Sequence, residues 1–184
     1  MILIMYLFTD GSSLKNGKKN CTARYGYILA KKYGNLNEIY YGDDNVPNVS
    51  LKLENGEIYE TNIITAPTNN RAELLGMIFG LISASSKTDE ILNIYSDSQY
   101  VIKSITIWIP NWIKTNQYEN RPNHDLFVIL MHFLNICKEK YKTVKFHHVY
   151  SHTKRSSASD DFIWLGNDMV DKLCTTGKLM PTIN

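Results

Sequence analysis

Four acidic residues stand in four separate stretches of this chain: Asp10 in Phe8-Thr9-Asp10-Gly11-Ser12, Glu73 in Thr68-Asn69-Asn70-Arg71-Ala72-Glu73-Leu74, Asp97 in Tyr95-Ser96-Asp97-Ser98-Gln99, and Asp171 in Asn167-Asp168-Met169-Val170-Asp171. Carboxylates drawn together from distant parts of a chain repel one another, and a divalent cation is the usual compensation. Hard oxygen ligands suit Mg²⁺ or Mn²⁺. Two such ions about 4 Å apart can stabilise both the attacking and the leaving oxygen of a phosphodiester displacement. Alone, Asp10-Gly11 reads as a turn, Asp97 as a helix N-cap and Asp171 as a solvated helix residue. The four in company read as a metal centre.

Elements that must position these groups follow from the pattern. Ile2 to Phe8 is a short apolar run, read as a buried central strand ending near Thr9, with Gly11 to Asn20 as a polar turn carrying Lys15, Lys18 and Lys19. Tyr25 to Lys32 and Glu38 to Tyr41 read as the next strands, joined at Gly34-Asn35. Thr68 or Asn69 caps a helix whose Leu74, Leu75, Ile78, Phe79, Leu81 and Ile82 follow the helical period. Ile91 to Tyr95 is a short buried strand, Ser98 to about Ile105 a helix, His124 to Lys140 a longer one, and Val144 to Val149 the last strand. A helix from Gly166 to Thr176 carries Asp171. Antiparallel strands followed by alternating strands and helices predict an α/β (α+β) mixed sheet with helices packed on it.

Composition sets the outer bounds. The 184 residues suit one domain spanning 1–184 with a single core. Hydrophobic content of 43% and charge of 21% are ordinary for a globular protein. A formal charge of +2 announces no polyanionic partner, so nucleic-acid binding would have to come from local patches. Three cysteines (Cys21, Cys137, Cys174) without metal spacing suit a reducing compartment and carry no function in this reading. The apolar N-terminus is too short to span a membrane and lacks a basic leader, which points to a cytoplasmic location. Usage rich in Ile, Asn, Lys and Tyr hints at an AT-rich genome, such as that of a large DNA virus, and then at the host cell.

In order and spacing, Thr9-Asp10-Gly11-Ser12, Thr68 to Leu74, Ser96 to Val101, Ile105-Thr106-x-Trp108-x-x-Asn111-Trp112 and a late His152 before Asn167-x-x-x-Asp171 resemble the ribonuclease H family, over about Leu3 to Lys178. The cellular type-one enzymes, which cut RNA in RNA–DNA hybrids, are the nearest in pattern. The resemblance implies the ribonuclease H-like fold, a five-stranded mixed sheet flanked by helices, and a monomeric, two-Mg²⁺ enzyme (Mn²⁺ as the alternative) leaving 5′-phosphate and 3′-hydroxyl ends. It makes Asp10 the bridge between the ions, Glu73 and Asp97 the completion of one site, and Asp171 that of the other. His152 would help proton transfer or product release, although Ser151 and Lys154 replace the family's flanking glycines. The 2′-hydroxyl readers would be Gly11, Ser12, Ser13, Asn16, Asn69, Asn70 and Gln99, with Glu73 also accepting from a hydroxyl. Thr68 and Asn123 match a pocket for a DNA-strand phosphate, weakened by Ala66 where the family often has Arg. Trp108, Asn111 and Trp112 match the platform for the DNA strand, but Ile113-Lys114-Thr115 follows where several basic residues are usual. His147, His148, His124 and His132 read as structural.

Two stretches exceed the family's usual length. Residues 43–67 carry alternation around Asn55-Gly56, predicting an added hairpin at the sheet edge. Residues 153–165 predict a solvated lid. Rival readings keep the fold but cut duplex DNA, or bind hybrids without cutting; Asn16, Asn69, Asn70 and Gln99 argue against the first, and the complete carboxylate set against the second. A domain released from a reverse transcriptase is disfavoured by Met1 directly before the first strand.

Overall fold

Strand β1 (Ile4–Leu14) is the spine of the protein, because its apolar residues from Ile4 to Phe8 are covered on both faces. The computed structural model describes residues 2–14, 21–33, 35–46, 50–53, 55–61, 67–150 and 161–179. On one side β1 pairs antiparallel with β2 (Thr22–Tyr33), which pairs antiparallel with β3 (Asn35–Val46); on the other it pairs parallel with β6 (Ile91–Ser96), which pairs parallel with β7 (Thr143–His148). The order is therefore β3-β2-β1-β6-β7, a five-stranded mixed sheet.

Side chains of β1 alternate between two cores, as strand geometry requires. Met5 and Leu7 join the larger one, with Leu74, Leu75, Ile78 and Leu81 of α1 (Asn69–Ser85) and Leu126, Phe127, Leu130, Leu134 and Cys137 of α4 (His124–Lys140). Phe8 faces the other way, onto Met169, Val170 and Leu173 of α5 (Asp161–Thr176). Between β6 and α4 runs one continuous helical stretch: α2 (Gln99–Lys103), a π-helical turn (Ser104–Trp108) and α3 (Ile109–Lys114).

The strands and one helix run past their expected ends. β1 does not stop at Thr9: its register with β6 ends at Thr9↔Ser96, but pairing with β2 continues to Leu14↔Thr22. A strand that loses one neighbour remains a strand while the other holds its backbone groups, so the expected turn at Gly11 is replaced by a ribbon. β2 and β3 extend likewise along each other. α5 begins at Asp161, inside the stretch read as a lid, since Phe162, Ile163 and Leu165 pack on the smaller core. The inserted hairpin, β4 (Ser50–Lys52) with β5 (Ile58–Glu60), is a separate two-stranded sheet and not an edge of the main one. It leans on the larger core through Leu51, Leu53 and Tyr59, and Tyr59 Oη donates to the Asp125 carbonyl at 3.1 Å. No helix among the described residues is long and apolar enough to cross a membrane.

Candidate metal centre and substrate groove

Asp10 sits on β1 one residue beyond the last pair with β6, where the two parallel strands part and open a crevice at their carboxyl ends. Asp97 follows β6 directly. Ser98, not Asp97, caps α2: its Oγ accepts from Val101 N at 3.3 Å. Glu73 comes from one turn inside α1, which lies so close to β1 that a Cβ on Gly11 would stand 2.2 Å from Glu73 N, and one on Gly76 2.6 Å from the Asp10 carbonyl. Only glycine permits that approach, and the approach is what brings Glu73 to Asp10. α5 delivers Asp171 from the opposite face.

Asp10, Glu73 and Asp97 each place one ligand atom within 4.8 Å of the others, and Asp10, Asp171 and Cys174 do the same. Asp10 is the member common to both groups. It is 5% exposed and Glu73 6%, so both carboxylates are out of water. Asp10 Oδ1 accepts from Gly11 N at 2.8 Å and Oδ2 from the Cys174 thiol at 3.1 Å. Glu73 Oε1 meets Asn69 Nδ2 at 3.5 Å, while Oε2 is buried with no hydrogen-bond partner among the described residues. Burial, then the Asp97 charge and that of Asp171, push Asp10 up to about 8. Burial, with Asp10 and Asp97 behind it, holds Glu73 well above its ordinary range. Burial, then Asp10, pushes the Cys174 thiol up as well. A site whose carboxylates resist ionisation and leave a buried oxygen orphaned lacks a positive charge. The hard oxygen donors fit a divalent cation of the Mg²⁺ or Mn²⁺ type. Asp168 stands apart, paired with Lys172 at 2.7 Å.

The other expected residues divide by place. Gly11, Ser12 and Ser13 line up along the β1 ribbon, Gly11 buried and the serines half-buried. Asn69 and Asn70 open α1, and Gln99 is exposed at the start of α2. Asn16 and His152, with Lys15, Lys18, Lys19, Ala66, Lys154 and Arg155, lie outside the described residues. His147 stacks on Tyr95 with centroids 4.6 Å apart, and His148 Nε2 lies 3.1 Å from the Asp97 carbonyl, so the last strand braces the segment that carries Asp97.

A cavity of about 650 Å³ opens beside Asn70 and joins the two expected DNA-strand surfaces into one. Thr68, Asn123, Trp108 and Trp112 all line it; Asn111, exposed on α3, does not. Thr68 caps α1 by accepting from Arg71 N at 3.2 Å. Asn123 takes a left-handed backbone, φ 65°, and donates to Tyr100 Oη at 3.0 Å. Trp108 and Trp112 pack 6.0 Å apart between Tyr100 and Phe127, so they are platform and core at once.

Four residues of this cavity carried no role in the sequence reading: Arg71, Tyr100, Arg121 and Pro122. Arg71 is 3% exposed and grips Asp125 through two bonds, 3.0 and 2.7 Å, while Nη1 also reaches Asn123 Oδ1 at 3.2 Å. It was inside the quoted Asn-Asn-Arg-Ala-Glu motif, and a charge facing the core stripe was the available signal. Arg121 lies 4.7 Å over the Trp112 ring, which returns to the platform a cation that Ile113-Lys114-Thr115 does not supply.

Known proteins agree with this architecture. The RNase H family model matches residues 4–178. A ribonuclease H of Schizosaccharomyces pombe is 37% identical over 110 residues, 60% of this chain and 32% of that protein. One of Orientia tsutsugamushi is 35% identical over 137 residues, 71% of this chain and 70% of that protein. The chain thus spans about a third of the first relative and about two thirds of the second. Among solved structures, a type 1 RNase H with the type 2 active-site motif superposes with a TM-score of 0.63 at 18% identity, covering 99% of this chain and 76% of that one. The prototype foamy virus protease-reverse transcriptase does so at 0.67 and 20%, covering 99% of this chain and 21% of that one; both likenesses are of fold. With its mixed sheet, its carboxylates gathered at the β1–β6 crevice and a family match along nearly its whole length, the chain belongs to the ribonuclease H family.

Proposed function

We propose that this protein is a metal-dependent endonuclease that hydrolyses the RNA strand of RNA–DNA hybrids to 5′-phosphate and 3′-hydroxyl products. The observation that carries the reading is the pair of ligand groups sharing Asp10, beside an orphaned Glu73 oxygen. Divalent ions held there would supply a nucleophilic water at neutral pH and offset charge on the reacting oxygens. Asp10 would serve both positions, Glu73 and Asp97 one, and Asp171 the other. Gly11 and Cys174 orient the Asp10 carboxylate, and its burial keeps bulk water from it. His152 moves the proton.

The remaining residues bind. The Gly11 to Ser13 ribbon, Asn16, Asn69, Asn70 and Gln99 present short polar groups to the shallow groove, where a 2′-hydroxyl marks RNA. Thr68 and Asn123 hold a phosphate of the DNA strand, with Arg71 fixing Asn123 from behind. Trp108 and Trp112, with Arg121 above, receive the DNA sugar face. The partner is therefore the hybrid itself, met by a monomer in the cytoplasm.

A cleavage assay with a metal titration tests this, run on hybrid, duplex RNA and duplex DNA of one sequence. Cleavage confined to the RNA strand of the hybrid and abolished by EDTA is expected. Cutting of duplex DNA would favour a DNA nuclease, and hybrid binding without cutting in any divalent metal would leave only a binding module.

A further inference from the structure

α5 brings a third kind of donor to the carboxylates. Cys174 lies one helical turn beyond Asp171, fully buried, with Sγ 3.1 Å from Asp10 Oδ2. Its ligand atom and those of Asp10 and Asp171 lie mutually within 4.8 Å. The neighbouring Glu73, which shares Asp10 in the other group, keeps its buried Oε2 without a hydrogen-bond partner among the described residues. A sulfur-containing donor set therefore borders an orphaned carboxyl oxygen. Oxygen donors alone favour hard ions; a thiolate in reach favours borderline and soft ones.

We propose that Asp10, Asp171 and Cys174 form a mixed oxygen–sulfur site that captures a thiophilic divalent cation of the Zn²⁺ or Cd²⁺ class, and that such an ion blocks the hard-cation position on which the function proposed above rests. On capture the Sγ–H bond breaks, its proton leaves to solvent and an Sγ–metal bond forms, and no oxidant is involved. The other cysteines are elsewhere: Cys21 bonds the Pro67 carbonyl at 2.9 Å and Cys137 the Leu81 carbonyl at 3.5 Å. They serve as internal controls.

The test is a Cd²⁺ titration of the metal-free protein, followed by calorimetry and by the ultraviolet thiolate-to-Cd²⁺ charge-transfer absorption. Wild type should give the band at one ion per chain. Cys174→Ala should lose it and bind Cd²⁺ at least ~10-fold more weakly, the low end of what even an outer partner of a metal ligand contributes. Cys174→Ser, closest in shape and still able to donate to Asp10 Oδ2, should also lose the band. Asp171→Asn should weaken the band. A band that survives in Cys174→Ala, or a wild type that shows none at saturating Cd²⁺, would overturn the proposal. Mg²⁺-supported hybrid cleavage is read separately. A Cys174-dependent band in a protein that never cleaves hybrid sustains the mixed site and removes the functional reading, whereas cleavage with no band removes the mixed site alone. In a cleaving protein, Cd²⁺ should inhibit wild type well below the concentration that inhibits Cys174→Ala; equal sensitivity would overturn the blocking role.

Discussion

Replacing Asp10 by Asn should make the metal-free protein more stable while destroying its activity. Asp10 is pushed from an ordinary 3.8 up to about 8, first by burial and then by Asp97 and Asp171. Because its folded value is raised, the folded state holds a proton that the unfolded state has released at every pH between these values. Wild-type stability therefore falls as pH rises through that window, by about 1.36 kcal/mol for each pH unit. At pH 7 the accumulated loss is at most about 4 kcal/mol. Asn keeps the shape and an oxygen for Gly11 N, carries no charge and escapes the loss. At roughly 2–4 °C per kcal/mol for a chain of this size, the variant should melt some 5–15 °C higher without metal. The gap should be full above pH 8 and close as pH approaches 4. Saturating Mg²⁺ should narrow it, because an ion at 100 times its dissociation constant stabilises wild type by about 2.7 kcal/mol and has lost its shared ligand in the variant. Calorimetric melting at pH 4, 6 and 8, in EDTA and in Mg²⁺, reads all of this. A variant that melts at or below wild type at pH 8 in EDTA, or a gap that ignores pH, would refute the electrostatic account of the site.

Asp97→Asn should abolish cleavage but leave hybrid affinity near wild type in a Ca²⁺ or EDTA binding assay, because it costs at least ~3 kcal/mol of transition-state stabilisation and no phosphate contact; residual activity above a tenth would remove Asp97 from the metal centre. Arg71→Leu should destabilise by about 3–5 kcal/mol in urea unfolding, because it strands the buried Asp125, and Arg71→Leu with Asp125→Leu should recover most of that; a double variant as weak as the single would mean the pair only fills space. Arg121→Ala should raise KM with kcat level, since it contacts substrate and transition state alike, and should flatten the salt dependence of hybrid binding by nearly one unit of slope for a lost phosphate contact. His152→Ala should slow turnover by about 10²-fold at most without changing the metal requirement; an unchanged rate at saturating substrate would return it to the loop.

Much of the site was legible because its chemistry is written in short blocks that also mark element boundaries. Asp10 and Asp97 follow apolar runs, and Glu73 follows a capping Thr68, so motif and element agree and the crevice follows from the strand order. The ribbon from Gly11 to Leu14 was not legible, since polar residues and glycine look like a turn until β2 is known to run alongside. Nor was the independence of the β4–β5 hairpin, because alternation shows that a strand has two faces and not which sheet it joins. Arg71, Tyr100 and Arg121 meet Thr68 and Asn123 only through packing of α1, α2 and α4. Cys174 was set aside on its spacing from other cysteines, whereas its relevant spacing is one turn from Asp171.

The π-turn at Ser104–Trp108 also bears on how the chain tolerates changes of length. Such a turn holds one residue more than the α-helix around it needs. Loss of the codon for Ile107, exposed within it, would restore ordinary helical bonding while leaving Gln99 and Trp112 on their present faces. Loss of Pro110 or Asn111 would instead rotate Trp112 by about 100°, away from Arg121 and the cavity. In-frame deletions between Asp97 and Trp112 should therefore survive selection at that one turn.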